Sequence, residues 1–512
     1  VSPTFSFWQR ADRDAVALVD PAERPTTVGA LQDASNQLVH SLRARGIGAG
    51  DTVAMLMTNR VEVYQLMLAI QQMGVYLVPI NWHLAAPEVA FILEDSESKA
   101  VFFDAELAGL LPADAPLLRV CASPIDGHTE EPDGSTPFAA LLQGSVEPPA
   151  DRRAGMVMNY TSGTTGRPKG VRRPLPPGPP EPVVTGFAMF LLLFGMQPGH
   201  GVQLVGSPLY HTAVLYFSAS ALHLGHRLIL MERWTPEGML QRIERYRVTA
   251  SHMVPTQFVR LLAAPDRASY DVSSVRHMVH SAAPCPVPIK QQMLDWWGDA
   301  IWEYYAATEG GGTVVSPQDW RQRPGTVGRP WQGADIRVID DEGARCPPGV
   351  VGTVYIRMPQ TFAYHRDQEK TAKAYNTEGY FTVGDAGWLD DEGWLYLSDR
   401  KADMIISGGV NIYPAEIEAA LVTHPAVLDV AVFGVPDDTW GESVQAVIEL
   451  REGFEGSDAL AEELREHTRA RIARFKCPRG IAWITTMPRD PNGKLAKRKL
   501  RDPYWVAAGR AI

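Results

Sequence analysis

Tyr160-Thr161-Ser162-Gly163-Thr164-Thr165-Gly166-Arg167-Pro168-Lys169-Gly170 follows a short apolar run, residues 155–158, that reads as a buried strand. The stretch holds three glycines, four Ser/Thr hydroxyls and two cations in eleven residues. Glycines let a backbone pass close to a ligand and turn its N–H groups inward. Hydroxyls add short donors, and Arg167 and Lys169 add charge. A loop of this make-up is built to hold an oligophosphate. It does not fit the Walker pattern, because Pro168 precedes Lys169. A flexible polar turn would explain the Gly/Ser/Thr cluster but not the Arg-Pro-Lys-Gly that follows it.

Working outward, the 512 residues exceed one ordinary domain, so two or more are expected. A hydrophobic content of 45% with 21% charged residues is that of a globular chain. The net charge of −11 and the lack of a long basic run argue against a nucleic-acid partner. Cys121, Cys285, Cys346 and Cys477 are far apart with no C-x-x-C, which suits reduced thiols and a cytoplasmic location. Residues 1–10 lack a secretory pattern, and the longest strongly apolar stretch, 187–196, is too short to span a bilayer.

The first 150 or so residues alternate helical and strand-like patterns. Residues 27–45 read as an amphipathic helix with Leu31, Ala34, Leu38 and Leu42 on one face, ended by the glycines at 46–50. A strand at 53–57, a helix at 61–73 and a strand at 75–80 follow. This alternation predicts an α/β fold with a parallel sheet. Residues 123–151 read as surface loop. Six prolines in nine residues at 174–182 predict a stiff extended segment and exclude a helix.

Farther on, a strand-like run at 203–210 leads into Pro208-Leu209-Tyr210-His211. A strand at 276–280 leads into Ser281-Ala282-Ala283-Pro284. Tyr304-Tyr305-Ala306-Ala307-Thr308-Glu309 is followed by Gly310-Gly311-Gly312, three residues without side chains. Strands at 336–340 and 351–357 open a β-rich region that runs through Asp385. From residue 404 the pattern changes. A glycine turn at Ser407-Gly408-Gly409 precedes a helix with Pro414 in its first turn. A strand at 427–435 and a helix at 459–473 follow, and Asp490-Pro491-Asn492-Gly493-Lys494 forms a last turn.

Taken in order, these segments resemble the motifs of the adenylate-forming superfamily: acyl-CoA synthetases, aryl-CoA ligases, peptide-synthetase adenylation domains and luciferases. The resemblance covers essentially the whole chain and is nearest to bacterial acyl-CoA synthetases. It implies an α/β fold with a large N-terminal domain of α/β sheets and a β-rich subdomain, residues 1–399. A hinge at 400–403 and a small mobile α+β domain at 404–512 would follow. It implies that Thr161, Ser162, Gly163, Thr164, Thr165, Gly166 and Lys169 hold phosphates. Ser281, Ala282, Ala283 and Tyr305 would lie at the nucleotide. Thr308 would approach the α-phosphate and Glu309 would hold Mg2+, for which a carboxylate is a suitable hard ligand. Asp385 offers two acceptors to a ribose diol, with Arg400 nearby. Lys494 would be the catalytic lysine, and Gly408 and Gly409 would line a CoA tunnel. His211, Ala306, Gly310 and Gly311 would border the acyl group, His211 with a catalytic part as well.

The expected activity is an acyl-CoA ligase using ATP, Mg2+ and CoA on a small-molecule carboxylic acid. The small residues at Ala282, Ala283, Ala306 and 310–312 predict a wide pocket and a bulky, hydrophobic acid. Three features depart from the family: the proline-rich segment, Ala306 in place of glycine, and Ala402 at the hinge where relatives carry Asp or Lys. The last leaves open a ligase weak in adenylation, working on acyl-AMP supplied by a partner ligase. A non-catalytic acyl or nucleotide-binding protein, a luciferase and a homodimer are open too. A peptide-synthetase adenylation domain is disfavoured, since no carrier domain follows residue 512.

Overall fold

The computed structural model describes residues 5–508 apart from 114–116, 123–131, 162–167, 200, 401–402, 409 and 490–494. Thr52–Leu56 is buried at every position. It lies inside a six-stranded sheet ordered Thr136–Pro137, Leu118–Ala122, Ser98–Asp104, Thr52–Leu56, Tyr76–Pro79, Met156–Val157. Every pairing in that sheet is parallel. Near-continuous apolar runs are what a parallel sheet covered on both faces requires. Val28–Ala44 forms the expected amphipathic helix. Thr27 caps it by accepting from the Ala30 N–H at 3.2 Å, and Leu31, Leu38 and Leu42 are buried. The next helix stops at Ile70, short of the predicted 73, because the chain turns through Gly74 at φ +69°.

A nine-stranded sheet takes up the middle of the chain. Its inner strands, from Val16–Val19 across to Ile301–Ala306, are parallel, and antiparallel strands close both edges. One apolar cluster joins the two large sheets, with Val53, Leu77 and Phe102 of one and Val205, Leu228 and Val279 of the other. The loops after Val202–Val205, His277–His280 and Ile301–Ala306 carry His211, Ser281 and Glu309. They leave the carboxyl ends of parallel strands, where open α/β sheets present their ligand sites.

Two smaller sheets flank this body. Asn159–Thr161, Lys169–Arg172 and Ala363–Tyr364 form an antiparallel three-stranded sheet. Asp335–Ile339, Gly352–Arg357, Asp385–Leu389 and Leu395–Arg400 form an antiparallel four-stranded one, the β-rich region read from the sequence. The C-terminal region has its own sheet, built on the long hairpin Val427–Asp437 and Gly441–Leu450, with helices Pro414–Leu421 and Asp458–Arg469. The fold is thus mixed α/β, with a large N-terminal part and a smaller C-terminal one.

Two segments differ from expectation, the first being 123–151, read as surface loop, which contains the edge strand Thr136–Pro137 and a helix Phe138–Leu141 with Phe138 and Leu141 buried. The segment 174–182 does not exclude a helix throughout, because a helix starts at Glu181 with Pro182 inside its first turn. The N–H that proline lacks has no intrahelical partner there in any case. Among the described residues no helix is long and apolar enough to cross a membrane.

Candidate active site

Thr161 and Lys169 sit directly opposite each other across the hairpin that carries the glycine-rich loop. Ser162, Gly163, Thr164, Thr165 and Gly166 lie outside the described residues, as do Lys494, Ala402 and Gly409. The strand that starts at Lys169 pairs on its other edge with Ala363–Tyr364. That register brings the Lys169 ammonium to 5.1 Å from the centre of the Tyr364 ring. The Tyr364 hydroxyl donates to Glu309 Oε1 at 2.8 Å. Burial and then the neighbouring Lys370 push the Lys169 pKa down to about 8, against the pull of Glu309 and Asp367.

Thr308 and Glu309 form the tip of a tight β-hairpin between Ile301–Ala306 and Gly311–Val315. Ala307 and Gly310 exchange hydrogen bonds of 2.9 and 3.2 Å around them. A helix start, the other context in which a Thr-Glu pair is common, is not what holds them. Arg173, just past the Lys169 strand, donates to both carbonyls of the tip, Thr308 at 2.7 Å and Glu309 at 2.9 Å. The glycine-rich hairpin and the carboxylate, 140 positions apart from Lys169 to Glu309, are tied by these two side chains.

Tyr305 donates its hydroxyl to Asp385 Oδ2 at 2.7 Å. Asp385 in turn stands opposite Arg400 in the four-stranded sheet. Ser281 is buried, with its hydroxyl 3.5 Å from His252 Nε2. The same nitrogen is 3.0 Å from the Tyr304 hydroxyl. Burial lowers the His252 pKa to about 4 and raises that of Tyr304 to about 12, so both stay neutral. Ala282 holds φ +74°, a backbone region that costs a residue with a Cβ about 1 kcal/mol or more. Ala283 follows in the same turn.

His211 is the N-cap of helix Thr212–Leu224, and its ring lies 4.3 Å from that of Tyr210. The segment before it is pinned by buried Asn59. Asn59 donates to the Ser207 and Met231 carbonyls at 3.0 Å each and accepts from Leu209 N–H at 2.9 Å. No described contact joins His211 to Glu309 or Lys169. Gly408 lies in the C-terminal hairpin Ile405–Ser407 and Val410–Ile412 at φ +59°, with its N–H bonded to the Trp440 carbonyl at 2.8 Å. No described contact carries it to the Glu309 group either.

The glycines at 310–312 were expected to leave open space, and they do not. A Cβ on Gly311 would stand 1.7 Å from the Trp331 indole, and one on Gly310 would stand 2.7 Å from the Phe381 ring. A Cβ on Gly312 would meet the Tyr305 carbonyl at 2.5 Å. These positions are glycine because rings and backbone already fill the volume a side chain would need. Trp331 packs edge-on against Phe190 at 5.4 Å, and Phe190 against Tyr304 at 5.9 Å. Ala306, opposite Gly311 in the hairpin, sits beside the same aromatic group.

Tyr364, Arg173, Trp331 and Phe381 escape a reading of the sequence. Tyr364 and Trp331 belong to segments with no chemical motif, Arg173 and Phe381 only flank one, and all four reach the site through sheet pairing, hydrogen bonds or packing. The Arg172-Arg173 pair next to the phosphate loop is the one local signal that could have pointed to Arg173.

A family model described as AMP-binding enzyme matches residues 5–364, and one for the AMP-binding enzyme C-terminal domain matches 416–494. The chain is 32% identical to the long-chain-fatty-acid–CoA ligase FadD13 of Mycobacterium tuberculosis, over 95% of each chain. It is 33% identical to the feruloyl-CoA synthase of an Amycolatopsis species, over 91% of each. The structure of Bacillus subtilis o-succinylbenzoate CoA synthetase in complex with its acyl-adenylate intermediate superposes with a TM-score of 0.78. Identity there is 27% over 98% of each chain. The chain therefore belongs to the AMP-binding enzymes, the adenylate-forming acid–thiol ligases.

Proposed function

We propose that this chain joins a carboxylic acid to CoA through an acyl-AMP intermediate, with ATP as the energy source. One carboxylate oxygen attacks the α-phosphorus of ATP and pyrophosphate leaves. The CoA thiol sulfur then attacks the acyl carbon, AMP leaves, and the thiol proton is released. The observation that carries this reading is the bracing of the Thr308-Glu309 tip against the Lys169 hairpin by Tyr364 and Arg173. It unites cations suited to phosphates with a carboxylate suited to a metal.

Mg2+ fits Glu309. One carboxylate oxygen takes the Tyr364 hydroxyl, and the other has no hydrogen-bond partner among the described residues. No group of three His, Cys, Asp or Glu among the described residues could cage a metal without help. One protein carboxylate completed by substrate phosphates is the usual magnesium arrangement on nucleotides. When bound, the ion would neutralise charge on the phosphates. Two anions must meet in the first step, so cations there act where charge develops. Lys494 is assigned to the reacting oxygens. The 161–169 loop, with Lys169, is assigned to the departing phosphates. Tyr305, Ser281, Ala282 and Ala283 are assigned to the base, and Asp385 and Arg400 to the ribose. Gly408 and Gly409 are assigned to the CoA tunnel.

The domain division is 1–399 and 404–512, with rotation about the hinge 400–403, including Ala402, between the two steps. His211, Ala306, Gly310 and Gly311 are assigned to the acyl side. The rings at Gly310 and Gly311 favour a hydrophobic acid whose bulk does not lie against that wall. Four free cysteines suit a reducing, cytoplasmic setting.

The test is pyrophosphate release and CoA thioester formation across straight-chain, aryl and polycyclic acids. At least one hydrophobic acid should give both products in equal amounts. Tight binding of acids or nucleotides with neither product from any of them would instead mark a binding protein.

A further inference from the structure

Glu309 is nearly buried, yet one of its oxygens already has a partner supplied by a different sheet. Tyr364 is fixed from several sides. Its strand pairs with Val171, its N–H donates to Thr371 Oγ1 at 2.9 Å, and its ring packs edge-on against Phe362 at 5.3 Å. The Lys169 ammonium lies toward its ring at 5.1 Å. A side chain held this way has little freedom other than to present its hydroxyl to Glu309. A phenol keeps its proton at neutral pH, so beside a carboxylate it is the donor.

We propose that Tyr364 is a positioning residue for magnesium: its hydroxyl holds one oxygen of Glu309 and so aims the other at the cation. Arg173 supports the same end from the backbone side, by fixing the two carbonyls of the hairpin tip. The sheet that carries the phosphate loop would then also set the direction of the metal-binding carboxylate. Phosphates and cation would be registered to each other by one rigid unit. This inference rests on the assignment of Glu309 to Mg2+ made above. Groups that orient a metal-binding side chain characteristically change metal affinity by about 10–100-fold when removed.

The experiment measures Mn2+ affinity, by electron paramagnetic resonance, in the full chain saturated with a non-hydrolysable ATP analogue. The variants are Tyr364→Phe, Glu309→Gln, the double variant, and Phe362→Leu as a packing control. Tyr364→Phe should weaken Mn2+ binding about tenfold and leave metal-free analogue binding unchanged. Glu309→Gln should weaken it at least as much, and the double variant should match Glu309→Gln. Phe362→Leu, which keeps the hydroxyl and only loosens the ring, should weaken Mn2+ binding clearly less than Tyr364→Phe. The Mg2+ concentration for half-maximal pyrophosphate release should follow the same order. Parent-like Mn2+ affinity in Tyr364→Phe, or an equal further loss when it is added to Glu309→Gln, overturns the role of Tyr364 alone. Parent-like affinity in Glu309→Gln overturns the metal assignment as well. A shift in Phe362→Leu equal to that in Tyr364→Phe would reduce the effect to packing.

Discussion

The two sides of the Thr308-Glu309 hairpin are built by opposite means. On the side we assign to the nucleotide, polar side chains from distant segments meet in pairs: Tyr364 with Glu309, Tyr305 with Asp385, Arg173 with the hairpin carbonyls. On the side we assign to the acyl group, three glycines are surrounded by Trp331, Phe381 and the Tyr305 backbone. Charge at fixed points is what an ionic reaction needs, and such pairs are specific in type and geometry. Shape is what an acid pocket needs, and it is made by packed rings that can be exchanged without altering the chemistry. Under this assignment the reaction and the substrate are written in different kinds of residue.

The sharpest way to separate the two sides is Lys494→Ala. Acyl-AMP formation should fall by about 100-fold or more, while thioester formation from supplied acyl-AMP persists. Equal loss in both half-reactions, read by quenched-flow product analysis, would sink the assignment of Lys494 to the first step alone. Asp385→Ala comes next. Loss of a charged acceptor should weaken ATP and AMP binding by about tenfold or more in calorimetry. The acids accepted should not change. A changed acid preference with unchanged nucleotide affinity would put Asp385 on the wrong side of the comparison.

Gly311→Ala probes the ring-filled side. The added methyl would collide with Trp331, and overpacking of this kind costs roughly 1–3 kcal/mol. Thermal melts should show that loss, and Trp331→Leu in the same chain should recover it and admit larger acids. A neutral Gly311→Ala would mean that the space is open after all.

A last effect, which needs no substitution, is a pH dependence of stability. His252 packs on Phe217 and meets the Tyr304 hydroxyl, and His223 bridges the Phe7 N–H and Gln71. Burial lowers their pKa values to about 4 and about 3. In the unfolded chain both take up protons near pH 6.5, so stability is full above that value and falls as the pH drops toward 4. Each histidine adds a loss on the order of 1 kcal/mol per pH unit in that window. Urea midpoints that stay level from pH 7 to 5 would contradict neutral burial of these rings.

Much of this was legible in the sequence. A period-3.6 face located Val28–Ala44, and apolar runs located Thr52–Leu56 and Tyr76–Pro79, to within a few residues, because full burial of a parallel sheet leaves a continuous apolar signal. The phosphate loop and Tyr305-Thr308-Glu309 stood out because each gathers unusual residue types over a short span. Tyr364 and Trp331 left no such mark. A lone tyrosine or tryptophan in a turn-rich region has no periodicity, and only strand pairing and long-range packing give it a role. The glycines of 310–312 misled for a related reason: a missing side chain signals either open space or a neighbour's ring, and the neighbour is remote in sequence.

The central claim is that one site performs two successive reactions through a free-standing acyl adenylate. The direct measurement is a single turnover with a cognate acid and ATP, first without CoA, quenched and analysed by mass spectrometry. Acyl-AMP and pyrophosphate should appear together at up to one equivalent per chain, and CoA added next should convert the adenylate to thioester and AMP. Release of ADP and phosphate, or thioester formation with no acyl-AMP at any time or CoA concentration, would contradict it.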